Sequence, residues 1–206
     1  MWTDHVADMD WQRLDYTVTV GVRPIWNTED GIGLFYTTGR NRIVTPFTLT
    51  DRVDVPAGDY LYESRSIFLS SGRARPVIGD VNIDLQNTFG GTIHNVRGGI
   101  TATPGKHLSL RTGYSYSQAE LPNGGFDVHL VSLRAAYTFT TRIALNSLVQ
   151  YNSLAKNVSA NLRLNIIHRP GSDIFIVLNE ERGSETSTWD PRNRAMRLKV
   201  TYLARL

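Results

Sequence analysis

Charged side chains stand in the middle of several segments whose residues otherwise alternate between polar and apolar. In a strand, such a charge lies on the face opposite the apolar residues beside it. Its chemistry would be electrostatic, either attraction of an anionic or polyhydroxylated solute or cross-strand pairing with an opposite charge. As candidates for a polar lining we single out Arg97, Arg111, Arg134, Arg163, Lys199, Glu63, Asp80 and Asp84.

Two interpretations of this lining are open. In the first, the charges pair across strands and stiffen a narrow interior, so replacing one Arg lowers stability and leaves any conductance nearly unchanged. In the second, they line a working pore, and Arg134→Glu shifts its ion selectivity. The first is the simpler interpretation, and it allows only weak passage of solute.

Other patterns point away from catalysis, metals and nucleic acid. Glu180 and Glu181, with Asp190, resemble a carboxylate pair for glycoside hydrolysis, but adjacent strand residues face opposite sides and cannot easily flank one bond. The five His are scattered without metal-ligand spacing, so we expect no metal and no cofactor. The Arg residues are dispersed, which disfavours a nucleic-acid surface.

The elements that must position these charges are strands. Between 121 and 181, residues such as Val131, Leu133 and Ala135 alternate with Ser132 and Arg134. Period-two alternation of apolar and polar residues is typical of a transmembrane β-barrel, apolar toward lipid and polar toward the lumen. We therefore predict an all-β, antiparallel up-and-down transmembrane barrel of about twelve strands, possibly the C-terminal part of a larger barrel. It occupies residues 13–206 after an N-terminal lead-in, 1–12.

The predicted connections fall into two alternating classes, as in barrels with short periplasmic turns and longer external loops. Short turns are expected near 38–42, 72–76, 103–106, 139–142 and 168–172, and longer loops near 24–30, 117–125, 152–157 and 182–192. We thus expect the loop around Ser187 outside the cell. The last strand, ending at Leu206, resembles the C-terminal signal that the barrel-insertion machinery reads.

Composition sets the remaining limits. The chain has 206 residues, of which 41% are hydrophobic, a net charge of +3 and no cysteine. Disulfides and thiolate metal sites are therefore excluded. The first residues lack the basic and apolar regions of a secretory leader, so we expect this chain to be the C-terminal piece of a longer exported protein.

Three segments carry a resemblance to a known family: LPNGGFDVHLVSLRAAYTF, LVQYNS and HRPGSDIFIVLNEE, with FTLTDRVDVPAGDYLYE upstream. They resemble the C-terminal barrel, a domain of unknown function, of bacterial outer-membrane proteins that carry an N-terminal module similar to carbohydrate-binding family 9. The resemblance covers about residues 47–206. It implies an outer-membrane location, contact with outer-membrane lipid and a glycan as a candidate partner, and it transfers no catalytic residue.

The function we expect is therefore an outer-membrane barrel, non-catalytic in this segment, that anchors a periplasmic carbohydrate-binding module or passes solute to it. Two alternatives remain open: a soluble β-barrel that binds a small ligand in its interior, and part of a carbohydrate-active hydrolase. Periodicity alone cannot separate the membrane barrel from the soluble one, because the same alternation serves both.

Overall fold

A computed structural model describes residues 1–7, 13–169, 172–183 and 191–202. Alternating apolar and polar residues, many of them β-branched or aromatic, form the strands. In chain order these are β1 Trp2–Ala7, β2 Arg13–Val22, β3 Gly31–Ile43, β4 Phe47–Leu49, β5 Val53–Val55, β6 Gly58–Ser70, β7 Val77–Thr88, β8 Gly91–Ala102, β9 Leu108–Leu121, β10 Gly124–Thr140, β11 Ile143–Asn152, β12 Asn157–Arg169, β13 Ser172–Gly183 and β14 Pro191–Thr201.

Twelve of these strands form one sheet in which spatial order follows chain order, β1-β2-β3-β6-β7-β8-β9-β10-β11-β12-β13-β14. The neighbouring pairs whose register is defined are antiparallel, for example β11 with β12 and β12 with β13. The predicted all-β, antiparallel up-and-down fold of about twelve strands is therefore confirmed. Since β1 pairs with β2, the sheet begins inside the predicted lead-in, 1–12.

The chain forms two compact units that cut across some strands. The first contains Met1–Ala74, Gly79–Gly98 and Ser115–Val128, and the second contains Arg75–Ile78, Gly99–Tyr114 and His129–Leu206. Strands β7, β8, β9 and β10 contribute residues to both. Each unit therefore contains a part of both faces of the sheet.

The connections lie at two ends of the strands, because successive antiparallel strands reverse direction. We call one of these ends the loop end, and its described connections are 44–57, 89–90, 122–123 and 153–156. We call the other the turn end, and its described connections are 23–30, 71–76, 103–107 and 141–142. The segment 23–30 belongs to the turn end, where the Gly72 amide donates to the Asp30 carboxylate at 2.9 Å. Its predicted place among the outer loops is wrong.

The turn predicted at 38–42 is also wrong, since β3 runs through it without a break. Gly39 pairs with Thr17, and a Cβ on Gly39 would lie 2.0 Å from the Tyr16 carbonyl oxygen. The glycine therefore permits close approach of two strands and does not mark a reversal. The Pro170–Gly171 turn and the loop around Ser187 lie outside the described residues, as does Leu206.

Segment 44–57 holds a small separate hairpin of β4 and β5. Its turn places Thr50 and Asp51 at φ of 51° and 56°, and the Arg52 amide donates to the Leu49 carbonyl at 3.0 Å. Two successive positive φ values define a type I′ turn, whose twist suits a hairpin. Pro46 interrupts the alternation of apolar and polar residues in this segment, so the sequence does not predict the hairpin.

Candidate functional site

The sheet has an apolar face along which large side chains are exposed. On β10, Leu133 and Tyr137 are 44% and 41% exposed, and on β14 Leu198 is 64% exposed. The register places Leu133 opposite Val149, and Leu164 opposite both Leu145 and Ile176, so the face continues across the strands of the second unit. In the first unit Val20, Tyr36 and Ile67 continue the same pattern on β2, β3 and β6.

The buried apolar side chains of the described residues are few: Val53, Val55, Ala119 and Val128. Burying apolar surface is the main driving force of folding in water. Large apolar surfaces that stay exposed mark a contact with a partner or a membrane rather than with water.

The opposite, polar face carries its own hydrogen bonds. In the first unit the Asp84 carboxylate accepts hydrogen bonds from the Ser64 and Ser66 hydroxyls and from the Gln86 amide, the Ser66 bond at 2.8 Å. Asp80, four residues earlier on the same face of β7, is paired with Ser70. Asp80 and Asp84 therefore lie on the polar face.

Glu63 does not share that face. It pairs with Thr38 and Asn87, and its neighbours on the same face of β6 are Leu61 and Arg65, with Ile67 beyond Arg65. Its carboxylate accepts from the Tyr36 hydroxyl at 3.3 Å and the Asn87 amide at 3.4 Å. Including Glu63 in the polar lining was wrong, because the odd-numbered residues of β6 all point to the apolar side.

The predicted cations lie on the polar face. Arg97 is two residues after Asn95, which accepts from the Ser117 hydroxyl at 2.7 Å across that face in the first unit. In the second unit Arg111 is two residues before Gly113, whose side-chain position faces the Ser132 hydroxyl. In the first unit, Arg97 thus lies on the same face as Asp80 and Asp84. In the second unit, the polar face carries Arg111, Arg134, Arg163 and Lys199.

Register arranges the second unit's polar face in cross-strand rows. One row, close to the loop end, consists of Ser132, Gln150, Ser159, Glu181 and Asn193. The next is Arg134, Leu148, Asn161, Asn179 and Ala195. The third is Ala136, Asn146, Arg163, Val177 and Arg197, and the fourth is Thr138, Ala144, Asn165, Phe175 and Lys199.

The first two rows make a cleft of hydroxyl, amide and carboxylate groups, which we call the amide cleft. It is a cavity of about 200 Å³ lined on the polar face by Leu148, Gln150, Ser159, Asn161, Asn179, Glu181 and Asn193. Asn161 donates to Asn179, and Asn157 donates to Glu181 at 2.7 Å. Groups of this kind donate and accept hydrogen bonds, which suits a solute rich in hydroxyls.

On the side of the amide cleft that lies toward the turn end, the polar face is basic. Arg163 and Arg197 share one row, and neighbouring strands are about 4.8 Å apart, so the two backbones stand roughly 10 Å from each other. The guanidinium of Arg163 lies over the Phe175 ring at 4.6 Å from its centroid. That contact orients the cation along the face.

Sequence reasoning missed Arg197 and the amide cleft. Arg197 lies between Met196 and Leu198, so the alternation that placed Lys199 would have placed it too. The cleft has no such signal, because its members come from four strands and are brought together only by register. Arg197 adds a further cation to the predicted lining.

The β4–β5 hairpin packs at the loop end of the first unit. Val53 and Val55 are 0% and 1% exposed, and the Asn123 amide donates to the Asp54 carbonyl at 3.0 Å. Phe89, in the β7–β8 turn, stacks edge-on against Phe47 at 5.8 Å. Because Ala119 lies two residues after Ser117, it is on the polar face, and it is 1% exposed. The hairpin therefore rests against the turns that bound this face.

Neither a catalytic carboxylate pair nor a metal centre emerges from the described residues. Glu180 lies on the apolar face with Arg182 and Arg194, whereas Glu181 lies on the polar face with Asn157. They face opposite sides, as expected, and Asp190 lies outside the described residues. Across 1–7, 13–169, 172–183 and 191–202, no three His, Asp or Glu side chains are grouped to hold a metal ion.

In the same part of the chain, no helix has the length and apolar character needed to cross a membrane.

Comparison with known proteins gives no relative by sequence: no family model and no curated protein matches the chain. Two solved structures are similar over most of their length. A NanC porin is 12% identical with a TM-score of 0.40, covering 92% of this chain and 94% of that one. A KdgM porin in complex with disordered oligogalacturonate is 8% identical with a TM-score of 0.37, covering 91% and 92%.

Proposed function

We propose that this chain forms an outer-membrane β-barrel whose apolar face meets lipid and whose polar face lines an aqueous path for small hydrophilic solutes. The observation that carries the proposal is the exposure of large side chains along the apolar face, such as Leu133 and Leu198. In water that exposure would promote aggregation, whereas in a bilayer it is the expected arrangement.

The ends of the apolar face support the same reading. At the turn end, Tyr137 and Phe139 pack edge-on with ring centroids 4.7 Å apart and remain exposed. At the loop end of the second unit, Arg194 takes the place of an apolar residue on this face. Aromatic and charged side chains mark the interfaces of membrane proteins.

The solute class we propose is polyhydroxylated, with a preference for a negative charge. The amide cleft supplies hydrogen-bonding groups, and Arg134, Arg163, Arg197 and Lys199 supply positive charge next to it. A glycan or sugar acid combines both features. Delivery of such a solute to a periplasmic carbohydrate-binding module, which the family resemblance implies, is part of this proposal, and the segment itself is non-catalytic.

A bilayer experiment tests the path. Wild-type protein and Arg134→Glu are reconstituted into planar bilayers, with Lys106→Glu as a matched charge reversal in the turn 103–107. We expect the wild type to favour anions, because cations on the polar face attract them. Arg134→Glu should reduce or reverse that preference, and Lys106→Glu should leave it unchanged. No conductance, or a selectivity indifferent to Arg134, would contradict solute passage through this face.

A further inference from the structure

A charged cluster interrupts the apolar face of the second unit at its loop end. It consists of Glu180 on β13, Arg182 just beyond it and Arg194 on β14, and we call it the Glu180 cluster. Arg182 Nε donates to Glu180 Oε1 at 2.6 Å, and Arg194 Nη2 donates to the same oxygen at 3.0 Å. Two guanidinium groups share one carboxylate, so the cluster carries one net positive charge.

The position of the cluster follows from the register. Glu180 pairs with Arg194, and the next pair toward the turn end on the same face is Leu178 with Met196. Ile176 with Leu198 comes after that. On β13 and β14 the cluster therefore stands where the apolar residues end, while the same rows continue on β12 with Ala160 and Val158. Its side chains project on the apolar face.

The exposure of the three side chains shows which groups can meet a ligand. The Glu180 side chain is 18% exposed, Arg182 34% and Arg194 62%. The carboxylate is thus the shielded member, holding both guanidinium groups in place, and Arg194 is the open one. A guanidinium has five N–H donors in a fixed fork that matches a phosphate, and the bond to Glu180 engages only one amino group of Arg194.

We infer that the Glu180 cluster docks the phosphate group of an outer-leaflet glycolipid. The inference rests on the proposed membrane location, because only then does lipid reach this face. A charge on the lipid-facing side is costly within the hydrocarbon and tolerated at headgroup height. The groups at that height are anionic, and the net positive charge with the exposed Arg194 fork complements a phosphate monoester.

Lipid retention tests the inference. The intact protein is placed in nanodiscs of phosphatidylcholine with either bisphosphorylated lipid A or the same glycolipid without phosphates, and bound glycolipid is counted by native mass spectrometry. We expect wild type to retain the phosphorylated form about tenfold better, the scale of one charge-assisted hydrogen bond. Arg194→Gln should lose most of that preference, and Arg194→Lys should keep part of it, since the charge remains and the fork is lost.

The control is Arg197→Gln, which removes a cation three residues away on the polar face. It should retain phosphorylated glycolipid as wild type does, and a heat-modifiability gel verifies that each variant is folded. Equal retention of both glycolipids by wild type, or an equal loss in Arg197→Gln, overturns the inference. Failure of folded wild type to enter nanodiscs would instead contradict the membrane location, so the two failures are distinguishable.

Discussion

Single residues in this protein are assigned their role by the face on which they stand. Arg163 and Leu164 are neighbours in sequence, yet Arg163 lies over the Phe175 ring on the polar face while Leu164 pairs with Leu145 on the apolar face. Glu63 follows the same rule, because its place in the strand sets its face even though it is charged. Its charge suggested the polar face, but its position in the alternation of β6 sets it beside Tyr36.

A charge introduced on the apolar face should therefore be far more costly than the same charge on the polar face. Leu133→Arg is expected to lose about 2–4 kcal/mol of folding stability in a bilayer, the depth-dependent cost of Arg on a lipid-facing strand position. Ala136→Arg, on the same strand and the polar face, is the matched control and should lose much less. Urea unfolding in lipid vesicles measures both. Equal losses in the two variants would argue against lipid on the apolar face.

Among the elements, the β4–β5 hairpin packs at the loop end of the first unit. Its Val53 and Val55 are buried, and Thr48 donates to Asp54 at 2.7 Å across its two strands. A cavity of about 240 Å³ separates Val55 and Pro56 from the turns that contain Phe89 and Pro122. If the polar face lines a solute path, as we propose, a short element at the loop end held by few buried side chains would restrict that path.

Loosening this hairpin should widen the path. Val53→Asp buries an unpaired carboxylate, which costs several kcal/mol unless the hairpin moves away. We expect a larger single-channel conductance from Val53→Asp than from wild type, recorded in planar bilayers. Val44→Asp, an exposed position in the same loop at 66% exposure, should behave as wild type. An unchanged conductance in folded Val53→Asp would show that the hairpin does not restrict the path.

The sequence predicts those features of the fold that depend on residues close together in the chain. Alternation along one strand is local, so the faces of Arg134 and Arg163 were predictable. Register and loop packing are not local. The amide cleft needs Gln150, Asn161 and Asn179 aligned from three strands, and the hairpin is held by contacts with Asn123, nearly seventy residues away in sequence. Turn composition also misled at Gly39, where strand pairing determines the conformation.

At the scale of the whole molecule, the connections predict an orientation. The longest described connection, 44–57 with its hairpin, lies at the loop end, whereas the connections 89–90, 122–123 and 153–156 at that end are short. In outer-membrane barrels the longer connections face the exterior. We therefore predict that the loop end faces the outside of the cell and that the turn end faces the periplasm.

Single cysteines test this orientation, since the wild-type chain has none. Asp51→Cys in the hairpin turn should react with an impermeant maleimide on intact cells, and Lys106→Cys at the turn end should react only after the cells are opened. Both positions are exposed, so burial does not prevent either cysteine from reacting with the maleimide. If only Lys106→Cys reacted on intact cells, the orientation would be the opposite of the predicted one.

The central claim is that the apolar face meets lipid and the polar face meets water. A nitroxide scan along β10 in lipid vesicles, one cysteine at a time from 131 to 138, measures collisions with oxygen, which concentrates in lipid, and with a water-soluble nickel chelate. We predict oxygen contact at the odd positions, which include Leu133 and Tyr137, and nickel contact at the even positions, which include Arg134. The opposite phase, or water contact at every position, would contradict the account.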